Sequence, residues 1–185
     1  MRKLISILFV VLSLTTFAQK FTVTPNGLRD SEDEEKNYIV IEVDGLTAKQ
    51  LYDNTLKYIT KSYKNPEEVL KGQIEGDYIK FDTYVPEMFY YSNSGAKMQI
   101  DTKYTTELKF KDNKVRLEIE SLDMYHPNSN TKVLFSGGIF EGYVIYKKNG
   151  TLFKEEAKQD IENYFNSVIE DLKLNLKGES EEDNW

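Results

Sequence analysis

An alternation of polar and apolar side chains over the 14 residues from Lys97 to Phe110 most constrains the fold of this chain. Every second residue from Met98 onward is apolar, aromatic or threonine, and the residues between them are all polar. A period of two over this length predicts a long strand with one buried face, as in an antiparallel sheet that is covered on one side. Asp112-Asn113 is a tight-turn pair, and the alternation resumes from Val115 to Ile119, so the pattern predicts a long hairpin.

Shorter segments predict further strands and a first helix. Strands are predicted for Tyr38–Val43, Tyr78–Val85 and Gly142–Tyr146. Thr47 and Gln50 have the spacing of a capping box, which predicts a helix that ends at Asn65-Pro66. One face of this helix is predicted to be buried and consists of Ala48, Tyr52, Leu56, Ile59 and Tyr63.

A second helix is predicted near the C-terminus, and Gly178 would stop it. Its apolar residues follow the i, i+3, i+4, i+7 rule and are Ile161, Tyr164, Phe165, Val168, Ile169, Leu172 and Leu176. Because the apolar face of a sheet needs a cover, both helices are expected on that face. The predicted fold class is therefore α+β, an antiparallel sheet with two helices packed on one face, in the order β-α-β(about four)-α.

The N-terminal 18 residues have the pattern of a secretory signal peptide. Arg2 and Lys3 precede an apolar run, and Thr16-Phe17-Ala18 has small residues three before and one before a cleavage point. The run is too short for a membrane anchor, which needs about 20 apolar residues. We expect removal of residues 1–18, a mature chain that begins at Gln19, and export to the periplasm or the medium.

Charge divides the rest of the chain and limits its partners. Residues 19–36 and 178–185 are predicted as an acidic linker and an acidic tail around a single α+β domain, residues 37–177. Loss of Arg2 and Lys3 takes the formal net charge from −7 to −9, which disfavours nucleic acid as a partner. The chain has no cysteine, so it has neither disulfides nor the cysteine that carries a lipid anchor, and no membrane span is expected after signal removal.

The order and details of these segments resemble the secreted proteins of Bacteroides-type bacteria grouped as domain of unknown function 4468. The resemblance rests on Phe17-Ala18-Gln19, the strand and helix from Tyr38 to Tyr52, the segment Glu68–Gly76, the turn Lys111–Lys114 and the helix Ile161–Leu172. It covers most of residues 37–176 and departs from the pattern from His126 to Gly150. The resemblance implies a TATA-binding-protein-like fold and an envelope location, and it supplies no catalytic residues. Such a fold does not imply DNA binding, since function belongs to sites.

No residue constellation has the spacing of a known chemistry. The one histidine, His126, lies in a predicted loop without a marked serine partner, and a loop histidine is usually a surface residue. Neither acidic cluster has the alternating order of a calcium loop. The sequence therefore predicts no catalytic residue, no metal site and no cofactor. Paired carboxylates, as in glycoside hydrolysis, stay open, because 31 acidic residues make some pair inevitable.

Aromatic residues give the one positive indication of a binding site. Phe89, Tyr90 and Tyr91 cluster just before Ser92–Gly95, and their rings could stack on a sugar or anchor a protein partner if the loop is exposed. The alternative is that these rings pack in the core, as large aromatics mostly do.

These observations favour a secreted or periplasmic, non-catalytic binding or envelope-associated module with a protein or glycan partner. Two alternatives stay open: a hydrolase of envelope or dietary glycans that uses unidentified carboxylates, and an inhibitor-like module that presents the loop from Pro86 to Gly95. An enzyme would show a concave pocket with converging carboxylates, whereas a binding module would show an aromatic surface.

Overall fold

The structure is a computed structural model that describes residues 19–93, 95–138 and 141–178. The predicted signal peptide, residues 1–18, lies outside the described residues, and so does the predicted acidic tail beyond Gly178. The described chain forms a mostly antiparallel sheet with helices packed against it, which confirms the predicted α+β class. Its elements in chain order are β1 Phe21–Thr24, β2 Gly27–Asp30, β3 Tyr38–Glu42, α1 Ala48–Ser62, α2 Pro66–Val69, β4 Leu70–Ile74, β5 Tyr78–Asn93, β6 Ala96–Lys111, β7 Lys114–Tyr125, β8 Lys132–Gly137, β9 Tyr143–Lys147 and α3 Glu155–Leu176.

The large sheet has seven strands in the described part of the chain. Six of them lie in the order β4-β5-β6-β7-β8-β9, and β3 pairs with the first half of β7, while β8 pairs with its end. All pairs are antiparallel except β8 and β9, which run parallel. The predicted hairpin is present as β6 and β7, joined at Asp112-Asn113. Asn113 has φ +65, a left-handed conformation that asparagine tolerates better than most residues.

The two long helices cover the apolar face of this sheet. The capping box is present at the start of α1, where the Thr47 hydroxyl accepts from the backbone of Gln50 and the Gln50 side chain accepts from the backbone of Thr47. Helix α1 ends at Ser62, just before Pro66 starts the short α2. Helix α3 buries the predicted Ile161, Phe165, Ile169, Leu172 and Leu176, while Tyr164 and Val168 stay half-buried.

Residues 19–36 form a folded hairpin where the sequence predicts an acidic linker. Strands β1 and β2 pair with each other and bury Phe21, Val23 and Leu28. Helix α3 holds this hairpin through its polar side chains, because the Asn166 amide bonds both the N–H (2.8 Å) and the C=O (3.1 Å) of Phe21. The acidic residues that suggested a linker lie mostly in the exposed turn after β2, so their charge describes that turn and not the strands before it.

No helix among the described residues is long and apolar enough to cross a membrane.

Candidate functional site

The aromatic residues predicted as a binding loop lie inside strand β5. Phe89, Tyr90 and Tyr91 pair with β6, so their side chains alternate between the faces of the sheet. Phe89 and Tyr91 point into the core and are each 2% exposed, whereas Tyr90 points outward and is 47% exposed. Burial removes Phe89 and Tyr91 from contact with a ligand at the surface, and the binding-site prediction stays open for Tyr90 alone.

The hydroxyl of Tyr91 has a structural partner in β9. It donates to the backbone oxygen of Val144 (2.9 Å) and accepts from the N–H of the same residue (3.1 Å). Its ring stacks on Tyr143 at a centroid distance of 4.9 Å. Tyr91 therefore links strand β9, which pairs parallel to β8, to strand β5 through two hydrogen bonds and a ring contact.

A bulge interrupts β5 just before these aromatic residues. The register shifts between Val85 and Phe89, and Glu87 within the bulge has φ +52. Asp101 of β6, which is 4% exposed, accepts hydrogen bonds from the Tyr84 hydroxyl (2.5 Å) and the Glu87 N–H (3.0 Å). These bonds, that from Tyr84 first, lower the pKa of the Asp101 carboxyl below its ordinary value. Asp101 is thus an ionised group that holds a backbone irregularity in place.

A cleft of about 340 Å³ opens where α1 and α3 cross the strands β5 and β6. Four tyrosines line it, and we call it the tyrosine cleft. Its volume lies within the range of small-molecule sites. The lining residues are Tyr58 and Tyr63 from α1 and the residue after it, Phe81, Thr83, Tyr104 and Thr106 from the strands, and Tyr164, Ser167, Val168, Asp171 and Leu172 from α3.

Hydroxyl groups are paired at the floor of the tyrosine cleft. The phenolic oxygens of Tyr104 and Tyr164 lie 2.9 Å apart, and the Tyr63 hydroxyl lies 2.5 Å from the Thr83 hydroxyl. The rings of Tyr104 and Tyr164 meet edge to face at 6.2 Å, which is a favoured aromatic geometry. The floor is therefore preorganised, with ring faces and oxygen atoms in fixed positions.

Burial keeps the phenols of the cleft neutral. It raises the pKa of Tyr63, Tyr104 and Tyr164, and for Tyr104 the adjacent Tyr164 hydroxyl adds to the effect. Burial also raises the pKa of Tyr58, and the neighbouring Asp171 carboxylate raises it further. A phenol with a raised pKa is a hydrogen-bond donor and acceptor and a poor base at neutral pH. At neutral pH these phenols therefore serve the cleft as hydrogen-bond donors and acceptors.

The charge of the residues that line the cleft restricts the class of ligand that it could bind. Among the described residues that line it, Asp171 is the one carboxylate and none is a lysine, arginine or histidine. An anionic ligand such as a phosphate would find no positive charge there. Aromatic faces combined with hydroxyls fit a neutral ring that carries hydroxyl groups of its own.

The carboxylates of the outer sheet face form ion pairs with basic side chains. Side-chain oxygens of Glu107, Glu118 and Glu120 lie within 4.8 Å of one another. Lys80 pairs with Glu120 at 2.5 Å and with Glu107 at 3.8 Å, and Arg116 pairs with Glu118 at 2.6 Å. The positive charges that balance this cluster would compete with a metal ion.

His126 lies in the exposed turn between β7 and β8. The Ser129 hydroxyl is 3.3 Å from the His126 Nδ1 and 2.9 Å from the Thr131 hydroxyl. The backbone N–H groups of Ser129 and Asn130 also bond the C=O of His126, so these contacts close a surface turn. The His126 side chain makes a turn contact there, outside the tyrosine cleft.

Part of the tyrosine cleft lies at positions that the sequence predicts in the core, and the rest lies at positions for which the sequence predicts no role. Tyr63, Tyr104 and Tyr164 occupy predicted core-facing positions, whereas Tyr58, Ser167 and Asp171 received no role. The available signal was the use of tyrosine at core-facing positions of three different elements. A buried phenol needs a hydrogen-bond partner, so several of them together predict a shared polar site.

The chain was compared with family models, with solved structures and with curated proteins. Residues 38–125 match the model of a family described as a domain of unknown function (DUF4468) with TBP-like fold. The chain is similar to the crystal structure, at 1.49 Å resolution, of a DUF4468 family protein from Bacteroides ovatus ATCC 8483. The two are 12% identical, the alignment covers 77% of this chain and 83% of the other, and the TM-score is 0.48. A search of curated proteins gave no match.

The family match runs from the first residue of β3 to the last residue of β7. The match ends one residue before His126, where the sequence predicts a departure from the family pattern. The matched segment is shorter than the range 37–176 over which the sequence predicts the resemblance. The predicted resemblance is confirmed: residues 38–125 of this chain match the model of the DUF4468 family, which is described as having a TBP-like fold.

Proposed function

We propose that this protein is an exported, non-catalytic binding module whose tyrosine cleft holds a neutral, hydroxyl-bearing ring, such as one sugar residue of a glycan. The observation that carries the proposal is the composition of the cleft. Four tyrosines, two threonines and a serine supply ring faces and hydroxyls around about 340 Å³, and a single carboxylate lies among them. Tyrosine offers an apolar face for a sugar ring together with a polar tip for its hydroxyls.

The same composition argues against glycoside hydrolysis in this cleft. That chemistry generally needs two carboxyl groups about 5 to 10 Å apart, one as acid and one as nucleophile or base. Asp171 has no carboxylate partner among the described residues that line the cleft. A binding role therefore has more support than the hydrolase alternative.

Export is supported by the N-terminal sequence. Arg2 and Lys3, the apolar run and Thr16-Phe17-Ala18 have the order of a signal peptide. The absence of cysteine rules out a lipid-modified cysteine as an anchor. An exported module without that anchor would meet glycans in the periplasm or the medium.

The proposal is tested with a glycan array, followed by calorimetry with each glycan that binds. Ser167 is exposed at the mouth of the cleft, so Ser167→Trp should block entry and lower the affinity at least about tenfold while the core stays packed. Tyr58→Phe removes one hydroxyl from the wall and should lower the affinity about three- to tenfold. Tyr90→Phe, on the opposite face of the sheet, should leave the affinity unchanged, and a loss of affinity there would instead place the ligand at Tyr90.

Two results would contradict the proposal. One is that no neutral glycan binds to the wild-type protein. The other is that Ser167→Trp binds a captured glycan as well as the wild type does, with an unchanged circular dichroism spectrum, because the ligand would then lie elsewhere.

A further inference from the structure

Strand β3 has one paired edge and one edge without a partner strand among the described residues. The Val43 N–H donates to the backbone oxygen of Asn113 (2.8 Å). In an antiparallel pair the backbone groups of every second residue face the partner strand, so those of Ile41 and Ile39 also face β7. The backbone N–H and C=O groups of Val40 and Glu42 therefore point away from β7. Such an edge is a template for one more strand.

A side chain already occupies the position that a partner strand would take. The Val40 N–H donates to the side-chain oxygen of Gln19 at 2.8 Å. This amide oxygen has the chemistry of a peptide carbonyl, and it satisfies a donor that would otherwise point into the groove. One contact from a polar side chain is more easily displaced than a strand fixed by a ladder of backbone bonds.

A groove runs along this edge, and we call it the β3 edge groove. Its volume is about 690 Å³, and the opposite wall comes from the last turns of α3, with Ile169, Glu170 and Lys173. An added strand would lie about 4.8 Å from β3, within this space. The groove therefore has both the backbone groups and the room for an extended chain.

The charge of the groove favours a basic occupant. Glu32, Glu42, Asp44 and Glu170 line it, against two lysines, so its formal charge is negative. Val40 and Leu46, both partly exposed, supply its accessible apolar surface, whereas Ile39, Ile41 and Val43, which also line it, are at most 4% exposed. A segment that alternates apolar and basic side chains would match both properties.

We propose that the β3 edge groove binds an extended, basic segment of a partner protein, which adds a strand to β3 and displaces the Gln19 side chain. This mode of recognition takes affinity from main-chain hydrogen bonds and specificity from the alternate side chains. It is independent of the tyrosine cleft, which lies between different elements.

The test uses a hexapeptide of alternating lysine and valine, a second in which glutamate replaces lysine, and a third in which every backbone nitrogen of the lysine peptide is methylated. Calorimetry should show binding of the lysine peptide that weakens as salt is added. The acidic and N-methylated peptides should bind at least about tenfold more weakly, since one has the wrong charge and the other lacks backbone donors.

Three variants and a control locate the binding. Gln19→Ala should raise the affinity about threefold, because no side chain then has to be displaced. Glu42→Lys and Val40→Pro should each lower it about tenfold, and proline is tolerated at an edge whose N–H faces outward. Glu67→Lys, an exposed charge reversal in α2, is the control and should leave it unchanged.

The proposal is overturned if the acidic or N-methylated peptide binds as well as the lysine peptide, or if Glu42→Lys has no effect in a folded protein. It is also overturned if Val40→Pro abolishes a dimer seen by light scattering, because the groove would then hold a second copy of this chain. The N-methylated peptide keeps the test valid if Val40→Pro does not fold.

Discussion

The phenolic oxygens of Tyr104 and Tyr164 lie 2.9 Å apart, so a single hydrogen bond joins strand β6 to helix α3 at the floor of the tyrosine cleft. Tyr104 is 4% exposed, and its ring also meets Phe165 edge to face. Removing either hydroxyl leaves the other without this partner. The pair therefore couples the cleft to the packing of the core.

We expect Tyr104→Phe and Tyr164→Phe each to lower the free energy of unfolding by about 1 kcal/mol. Because both changes remove the same hydrogen bond, the loss of unfolding free energy in the double variant should be about 1 kcal/mol smaller than the sum of the two single losses. Urea unfolding of the four proteins measures this coupling. Additive losses would mean that the two hydroxyls do not bond each other.

Asp101 should make the stability of the protein depend on acid pH. The pKa of Asp101 in the folded protein lies below its ordinary value of 3.8. Its contribution to the free energy of unfolding is therefore fully present above pH 3.8 and is lost as the pH falls through the folded pKa. Asp101→Asn should lower the unfolding free energy by about 2 kcal/mol at pH 6, because charge-assisted bonds to Tyr84 and Glu87 are lost. The difference from wild type should shrink in urea unfolding at pH 2. A difference that stays constant across this range would contradict the ionised role of Asp101.

The N-terminal hairpin should be part of the cooperative fold. Phe21 is 2% exposed, so Phe21→Ala should lower the unfolding free energy by about 3 to 5 kcal/mol. Glu34→Ala, in the exposed acidic turn, should change it by no more than about 0.5 kcal/mol. Thermal unfolding of both variants distinguishes a folded hairpin from a linker. If the segment were a linker, neither change would alter the unfolding free energy.

Tyr91 and Tyr90 should respond differently to loss of their hydroxyls. Tyr91→Phe leaves the N–H and C=O of Val144 without their partner and should lower the unfolding free energy by about 1 to 3 kcal/mol. Tyr90→Phe, on the exposed face, should change it by no more than about 0.5 kcal/mol. Urea unfolding compares the two, and equal effects would contradict the assigned faces of β5.

Helix α1 should depend on its capping box. Thr47→Ala removes the hydroxyl that accepts from the Gln50 backbone and should lower the unfolding free energy by about 1 kcal/mol. The measurement is thermal unfolding, with Thr60→Ala as a control, since Thr60 is exposed on the same helix and its hydroxyl bonds the Leu56 oxygen one turn earlier. A larger loss in the control would mean that the cap adds little.

The sequence by itself determined the elements whose signals are local. The alternation from Lys97 to Phe110, the Asp112-Asn113 turn and the spacing of Thr47 and Gln50 depend on neighbours within a few residues, and each is present as predicted. Periodicity also placed Ile161 and Phe165 in the core, because a helix that covers a sheet buries one stripe whatever the details of its partner.

Tertiary structure alone decided where the chain departs from those local signals. Residues 19–36 became a hairpin because Phe21 and Val23 find a surface on α3, which lies about 140 residues away in the chain. Phe89 and Tyr91 are buried because β5 continues past the bulge after Val85, where the sequence predicts its end, and pairs with β6 as far as Asn93.

The tyrosine cleft and the β3 edge groove likewise exist only after folding. Each is a space between elements far apart in the chain, and its volume depends on how closely helices and strands approach. Hydrophobic periodicity fixes which side of an element faces the core, but it carries no information on the gap left between two faces. That gap is set by packing, which only the tertiary structure specifies.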